Sequence, residues 1–328
     1  MKYDLNFSII IDKRSSGKTL IDAVSQRFTY HTCDYWQNQI TEGVIRINDR
    51  ATSPGQILNE GDSLKFTIKN FEEPDINCDY QIVFQNDFLF LVNKPAGLPV
   101  HSTRRFYRQT LVETMRRRQG IAKISPLQRL DRETSGLMFV ADNDRVPAKF
   151  YKRLTHYLKR KFYLAIVRGR FPWSHKVCNQ SLAEALTPPV KYKMIASDQG
   201  KTAQTSFSLL AANNDFSLVL AEIVNGRKHQ IRAHLQHLGF PLIGEKLYYK
   251  DALYFIKRCN DEMTANDWKE LGANNHLLHS FAISTRLPGH DDEIFFAEKV
   301  PDEFLQKASF FPDWLSKARQ IVISSKQQ

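Results

Sequence analysis

No stretch of the 328-residue chain reaches the run of about 20 apolar residues that a membrane-spanning helix needs, so no membrane association is expected. Residues 1–5 show neither the apolar stretch of a signal peptide nor the Arg-rich, acid-poor character of a transit peptide, which makes the cytoplasm the expected location. Cysteine is scarce. Cys33, Cys78, Cys178 and Cys259 stand dozens of residues apart, a spacing that fits neither a disulfide framework nor a zinc knuckle and points to a reducing compartment. There is no internal repeat and no low-complexity tract. No His-x-Glu with Pro-Cys-x-x-Cys occurs, which argues against zinc-dependent deamination. A zinc site built from His229, His234 and His237 lacks a neighbouring carboxylate, so no metal is expected.

What is present is a soluble-type composition, 42% hydrophobic and 25% charged, in a chain long enough for two domains. The net charge is +11, and its distribution is informative. Between His101 and Lys161 there are 16 Lys/Arg against 5 Asp/Glu, so this one stretch carries an excess equal to that of the whole chain. A focused positive field attracts a polyanion, and a phosphate backbone is the commonest such partner.

Along the chain, residues 1 to 70 read as a small separate domain. Lys18–Val24 begins a helix, Cys33–Glu42 is a second, Val44–Asn48 and Leu64–Ile68 are strands, and Asn48-Asp49-Arg50 is a turn. The order of helix, helix, Gly-Val-x-Ile-Asn and Leu-x-x-Gly-Asp resembles the small RNA-binding module named after ribosomal protein S-four. The acidic, proline-containing stretch from residue 71 to 79 reads as a linker. From residue 80 to 328 a second domain follows. Its expected strands are Gln81–Phe84, Phe88–Asn93, Leu137–Ala141, Phe162–Val167 and Phe216–Ile223. Its expected helices are Gln109–Gln119, Val146–Leu158 and Lys228–Leu238. Without steady strand-helix alternation, this predicts an α+β fold with a mixed, largely antiparallel sheet. The polar segment Lys250–Asn275 reads as a helical insertion.

The chemistry centres on Gln128-Arg129-Leu130-Asp131-Arg132-Glu133-Thr134-Ser135-Gly136. Here a carboxylate stands between two arginines at the entrance to an apolar strand. Carboxylates serve as covalent nucleophiles, and nearby guanidinium groups keep them ionised. Arg-Leu-Asp-x-x-Thr-Ser-Gly resembles the motif of the RluA class of pseudouridine synthases. Three other blocks agree with that class: Asn93–His101, Lys161–Gly169 and Gly226–Leu235 running on to Gly244, with Gly200–Thr205 as a weaker fifth. The resemblance implies isomerisation of uridines in tRNA or large-subunit rRNA, without a cofactor, after the target base has been flipped out of its stack. It makes Asp131 the nucleophile, Tyr163 the residue against the base and Arg232 the partner of Asp131. Leu242 and Ile243 would wall the base pocket, and Arg129 would fill the space the base leaves. Arg132, Thr134, Arg227, His229 and Gln230 would contact substrate, while Arg104, Arg105 and Arg108, with Arg116–Arg118, would track phosphates.

Three positions depart from the class pattern. Gln128 stands where His is usual, and an amide cannot exchange protons near neutral pH, so a hydrogen-bonding role is expected. Lys228 replaces Thr or Ser, and Glu245 replaces Asp. A monomer is the expected state. The alternative from another class is a non-catalytic RNA-binding or ribosome-assembly protein that kept the fold.

Overall fold

The computed structural model describes every residue except 1, 29–31, 104, 148–149, 151–152, 187–189, 191–192, 288–290 and 326–328. The chain forms two compact units. One is Met1–Asp75 with Thr103–Tyr107, and the other is Ile76–Ser102 with Arg108–Gln328.

In the first unit, strands β1 (Lys2–Ile10), β2 (Arg46–Ile47), β3 (Arg50–Ala51) and β4 (Ser63–Glu72) form a sheet in the order β1-β4-β2-β3. Helices α1 (Leu20–Arg27) and α2 (Cys33–Thr41) each begin at a threonine, Thr19 and Thr32, whose hydroxyl accepts a first-turn N–H. Leu20, Val24, Trp36 and Ile40 face inward to Leu64 and Phe66. The expected Val44–Asn48 strand shrinks to two residues because Asn48 and Asp49 turn with positive φ. The last strand runs longer than expected, to Glu72, because it pairs along its length with β1, whose own pattern did not announce a strand. The acidic stretch is therefore partly structure rather than linker. Glu73 is buried, accepts from Tyr3 Oη at 2.5 Å and from the Tyr107 N–H at 2.8 Å, and the unit ends at Asp75.

The second unit is built on a ten-stranded sheet. Its strands are β5 (Gln81–Gln85), β6 (Leu89–Lys94), β7 (Ile124–Pro126), β8 (Ser135–Asp142) and β9 (Leu158–Arg168). They continue with β10 (His175–Cys178), β13 (Thr205–Ala212), β14 (Phe216–Ile223), β15 (Leu278–Arg286) and β16 (Asp292–Phe296), while β11 (Leu182–Glu184) and β12 (Met194–Ala196) pair separately. The order is β10-β13-β14-β9-β15-β8-β6-β5, with β16 beside β15 and β7 beside β8. Only β8 and β15 pair in parallel, so the sheet is mixed and largely antiparallel, as the pattern of elements predicts.

From Phe162 to Val167 the central strand β9 is buried on both faces, which is why that part reads as an apolar run. Phe162, Leu164 and Ile166 pack towards α7 (Asp302–Ala308) and α8 (Trp314–Ser324). Tyr163, Ala165 and Val167 point the other way, towards α4 (Gln230–His237). Tyr163 and Arg232 thus share one side of the sheet.

Helix α3 (Leu111–Gln119) is capped by Thr110 and closed by left-handed Gly120. The expected helix Val146–Leu158 is not continuous. Part of it lies outside the described residues, Leu154–Tyr157 is a short 3-10 turn, and Leu158 already pairs with Thr285 as the start of β9. Gly200–Thr205 is mostly a turn, with the strand beginning at Thr205. The polar segment does form helices, α5 (Leu253–Cys259) and α6 (Ala265–Leu271), the second opened by a Thr264–Asp267 capping box. Among the described residues no helix is long and apolar enough to cross a membrane.

Candidate active site

Asp131 lies in the turn that feeds β8, and the Thr134 N–H donates to the Asp131 carbonyl at 3.2 Å to close that turn. The Thr-Ser-Gly that follows has packing reasons for each residue. Thr134 Oγ1 is 2.8 Å from His276 Nε2, and Ser135 Oγ is 2.9 Å from His279 Nδ1. Gly136 has φ 103°, and a Cβ there would lie 2.2 Å from the Ser280 carbonyl oxygen on β15. Only glycine lets the parallel strands approach so closely. Beneath the turn, Lys94 is fully buried and donates to the carbonyls of Pro95, Leu98 and Arg132 at 2.9, 2.8 and 3.1 Å. Burial pushes its pKa down to about 7, but three carbonyls around one nitrogen suit the ammonium form.

Arg232, on α4, reaches the same point from the other side of the cleft. Its Nη1 donates to Asp131 Oδ2 at 2.6 Å, while Nε and Nη2 grip Glu245 at 2.8 and 2.7 Å. Glu245 is fixed in turn by the N–H groups of Leu247 and Tyr248. This bidentate fork orients the guanidinium, so the longer Glu in place of Asp holds Arg232 rather than substrate.

His229 takes φ 53°, a left-handed residue that starts α4 two positions later than the pattern suggests and aims its ring at the cleft. Its Nε2 is 3.7 Å from Asp131 Oδ1, and its Nδ1 is 3.0 Å from the Tyr248 hydroxyl. That hydroxyl also accepts from the Met194 N–H at 3.0 Å, which fixes its place beside the His229 ring.

Burial alone would push the Asp131 carboxyl up, but His229 and His276, where protonated, and the Arg232 charge with its hydrogen bond hold it well below the usual carboxylate range. Burial takes His229 itself down to about 4 and His276 to about 4, so both rings are neutral near pH 7. Arg232 is then the charge that keeps Asp131 ionised. Burial works against the guanidinium charge too, yet Glu245 and Asp131 outweigh it. Burial also pushes the Tyr163 hydroxyl up, so it remains a neutral phenol.

These groups line a cleft of about 540 Å³. Asp131, Thr134, Tyr163 and Arg232 stand in it, with Arg129, Arg227, His229 and Gln230 at its sides. Arg129 and Arg227 are exposed. Gln230 is buried at the cleft side, where its amide accepts from the Arg227 N–H and donates to Gln204 O and Thr205 Oγ1, so both its donor hydrogens are taken within the protein.

Other expected site residues fall elsewhere. Leu242 and Ile243 do not line the cleft; both are buried in the cores on either side of β9. Arg132 turns away to Glu133, with Nη2 3.3 Å from Oε1. Arg105 belongs to the first unit, and Arg108 is exposed outside the cleft lining. Arg104 lies outside the described residues. Of the remaining basic cluster, Arg116 pairs with Glu113 at 2.7 Å and Arg118 with Asp79 at 2.9 Å. Gln128 donates from Nε2 to the Leu137 carbonyl at 3.1 Å, and Lys228 pairs with Glu184 at 2.8 Å. His234 uses both ring nitrogens, on Thr205 Oγ1 and the Gln180 carbonyl, which removes it from any zinc set.

Sequence reasoning passed over Glu133 and Tyr248. Glu133 accepts from Lys246 at 2.8 Å and from Arg258. A signal existed in the charge alternation of Arg132-Glu133 and Glu245-Lys246, two dipeptides whose partners only the fold reveals.

Residues 88–237 match the RNA pseudouridylate synthase family model. The chain is 28% identical over 255 residues to the mitochondrial tRNA pseudouridine(32) synthase of Saccharomyces cerevisiae, covering 77% of this chain and 55% of that protein. It is 29% identical over 230 residues to an uncharacterised RNA pseudouridine synthase of Synechocystis, covering 70% of this chain and 79% of that one. The chain thus spans about half the length of the yeast relative. The solved structure of human RNA pseudouridylate synthase domain containing 4 superposes with a TM-score of 0.52 at 23% identity, over 70% of this chain and 91% of that one, which is a likeness of fold. The Arg-Leu-Asp turn, the tyrosine-bearing strand and the arginine helix that converge on one cleft all lie within residues 88–237, the part of the chain that matches the RNA pseudouridylate synthase family.

Proposed function

We propose that the protein converts uridine to pseudouridine within an RNA strand, with Asp131 as the attacking carboxylate. The observation that carries this reading is the ionised Asp131 carboxylate, 2.6 Å from Arg232 in a cleft shared with Tyr163. In the reaction the bond from the sugar to nitrogen 1 breaks, the ring turns, and carbon 5 bonds to the sugar instead. Carbon 5 loses a proton and nitrogen 1 gains one, so all atoms are conserved and the chemistry needs no redox cofactor or energy donor. Asp131 attacks either the ring or the sugar. Arg232 keeps it charged and aimed, and Tyr163 lies against the base as a neutral phenol that can donate a hydrogen bond.

The target base must leave its stack, at a cost of a few kcal/mol. Arg129, exposed beside the nucleophile, is the side chain that fills the space. Lys159 and Arg227, also exposed on the cleft, and Arg108 outside it meet phosphates, giving affinity rather than sequence choice. The first unit, with its two helices and S-four-like order, adds a second grip on RNA. The substrate is a structured tRNA or large-subunit rRNA, and two relatives named for tRNA positions favour tRNA. The enzyme acts as a monomer in the cytoplasm.

The test is single-turnover conversion of candidate RNAs by the native protein and Asp131→Asn, with binding titrated at fixed salt. The variant keeps the side-chain volume but loses the anion, so conversion is expected to vanish while RNA affinity stays within about twofold. Near-normal conversion by the variant would overturn the nucleophile assignment.

A further inference from the structure

The turn Asp131–Thr134 is held by Lys94 and the Gly97 N–H at the Arg132 carbonyl and by His276 at Thr134, and its two carboxylates add two further grips. Asp131 meets Arg232, and Glu133 meets a set of cations that the isomerisation does not itself use. Glu133 Oε2 accepts from Lys246 Nζ at 2.8 Å and from the His276 N–H at 3.2 Å. Its Oε1 accepts from Arg258 and, at 3.3 Å, from Arg132. The Glu133 side chain is only 12% exposed. Burial would push this carboxyl up, but the Lys246 charge and hydrogen bond and the Arg258 charge outweigh it and keep it ionised.

The donors have different anchors. Lys246 also donates to the Gly244 and Asn274 carbonyls, so it belongs to the loops that pack under the turn. Arg258 comes from α5, in the polar segment that read as an insertion. Its side chain is 35% exposed, so shortening it opens no core cavity. Lys246 would still neutralise Glu133, so the carboxylate would not be left as a buried unpaired charge. What would go is the nearer of the two guanidinium groups on Glu133 Oε1, and the one that does not come from the turn itself.

We propose that Arg258 is a positioning residue: acting through Glu133, it fixes the turn that aims Asp131, and the 250–275 segment thereby sets the nucleophile's geometry. This rests on the function proposed above. Glu133 is two residues from Asp131, inside a turn closed by one N–H···O bond of 3.2 Å, so a shift of Glu133 is passed to the carboxylate. A misplacement of about 1 Å at a reacting atom costs roughly 100-fold in rate.

Four full-length variants test this: Arg258→Ala, Arg258→Lys, Glu133→Gln and the Arg258→Ala/Glu133→Gln double variant. For each, the single-turnover rate at saturating RNA, the RNA Kd, the melting temperature and the hydrogen exchange of the Thr134 amide are measured. Arg258→Ala is expected to slow conversion about 10- to 100-fold with Kd within about twofold and little change in melting. Arg258→Lys should recover part of the rate. The double variant should be no slower than the slower single, because both break one link. Thr134 should exchange faster whenever Arg258 is lost. A native rate in Arg258→Ala, additive losses in the double variant, or unchanged Thr134 exchange would each overturn the proposal. If the native protein makes no pseudouridine the functional reading fails instead, and Thr134 exchange still decides whether Arg258 orders the turn.

Discussion

Glu245 is a buried carboxylate and Asp131 and Glu133 are part-buried ones, and Arg232, Lys246 and Arg258 keep all three ionised. His229, His276 and His279 are buried rings that the same loss of water keeps neutral, at about 4, 4 and 3. Near pH 7 the site therefore holds anions fixed by cations, and none of these three rings stands ready as an imidazolium general acid. This bears on Gln128, which occupies the position where the class usually has His. Its amide donates to Leu137 O, a bond that a neutral ring N–H can also make, so the position needs a donor rather than a proton carrier. Gln128→Ala is expected to slow single-turnover conversion about tenfold, the scale of a lost orienting hydrogen bond, and Gln128→His to retain the native rate. A loss in Gln128→Ala as deep as that of Asp131→Asn would show that the amide joins the chemistry.

Elements place these residues through close approaches that tolerate little change. The parallel contact of β8 with β15 at Gly136 puts the end of the Asp131 turn against Ser280, which pairs with Tyr163 across β9. Gly136→Ala would place a Cβ 2.2 Å from a backbone oxygen at a residue already at φ 103°. The expected cost is about 3 kcal/mol or more, read as a fall in melting temperature together with lost conversion. A variant melting within about 2 °C of the native protein would show that the strands can part without loss. The same level explains where elements departed from their patterns. Helix α4 begins late because His229 adopts a left-handed conformation, and β9 begins early because strand pairing with β15 overrides the helical look of Thr155 to Leu158.

Across the whole molecule, the titrating groups set a direction for stability against pH. His229, His276 and His279 have folded values below the ordinary 6.5, so the unfolded chain binds more protons as pH falls from about 6.5 towards 4. The carboxylates, with folded values below the ordinary range, add a loss that begins below about 4.5. Both act in one direction. Melting temperature is expected to fall between pH 7 and 5, then more steeply below 4.5, and His279→Asn should flatten the first segment. A melting temperature unchanged between pH 7 and 5 would contradict the neutral-histidine assignment.

The sequence alone determined the class of fold, the identity of the Asp131 turn, the tyrosine strand and the arginine helix. The fold class rests on local strand, helix and turn patterns, and the identity of the turn, strand and helix on the family resemblance of motifs whose residues lie next to one another in the chain. The tertiary structure alone decided what holds them in register. The resemblance offers Arg232 as the partner of Asp131 across 101 residues, but nothing in the sequence announces that Glu133 meets Arg258 across 125, because no local pattern encodes a partner so far along the chain. It also moved Leu242 and Ile243 from the pocket wall to the core, because apolar side chains on either wall of a cleft and in the core beneath it look alike in sequence and differ only in what packs over them.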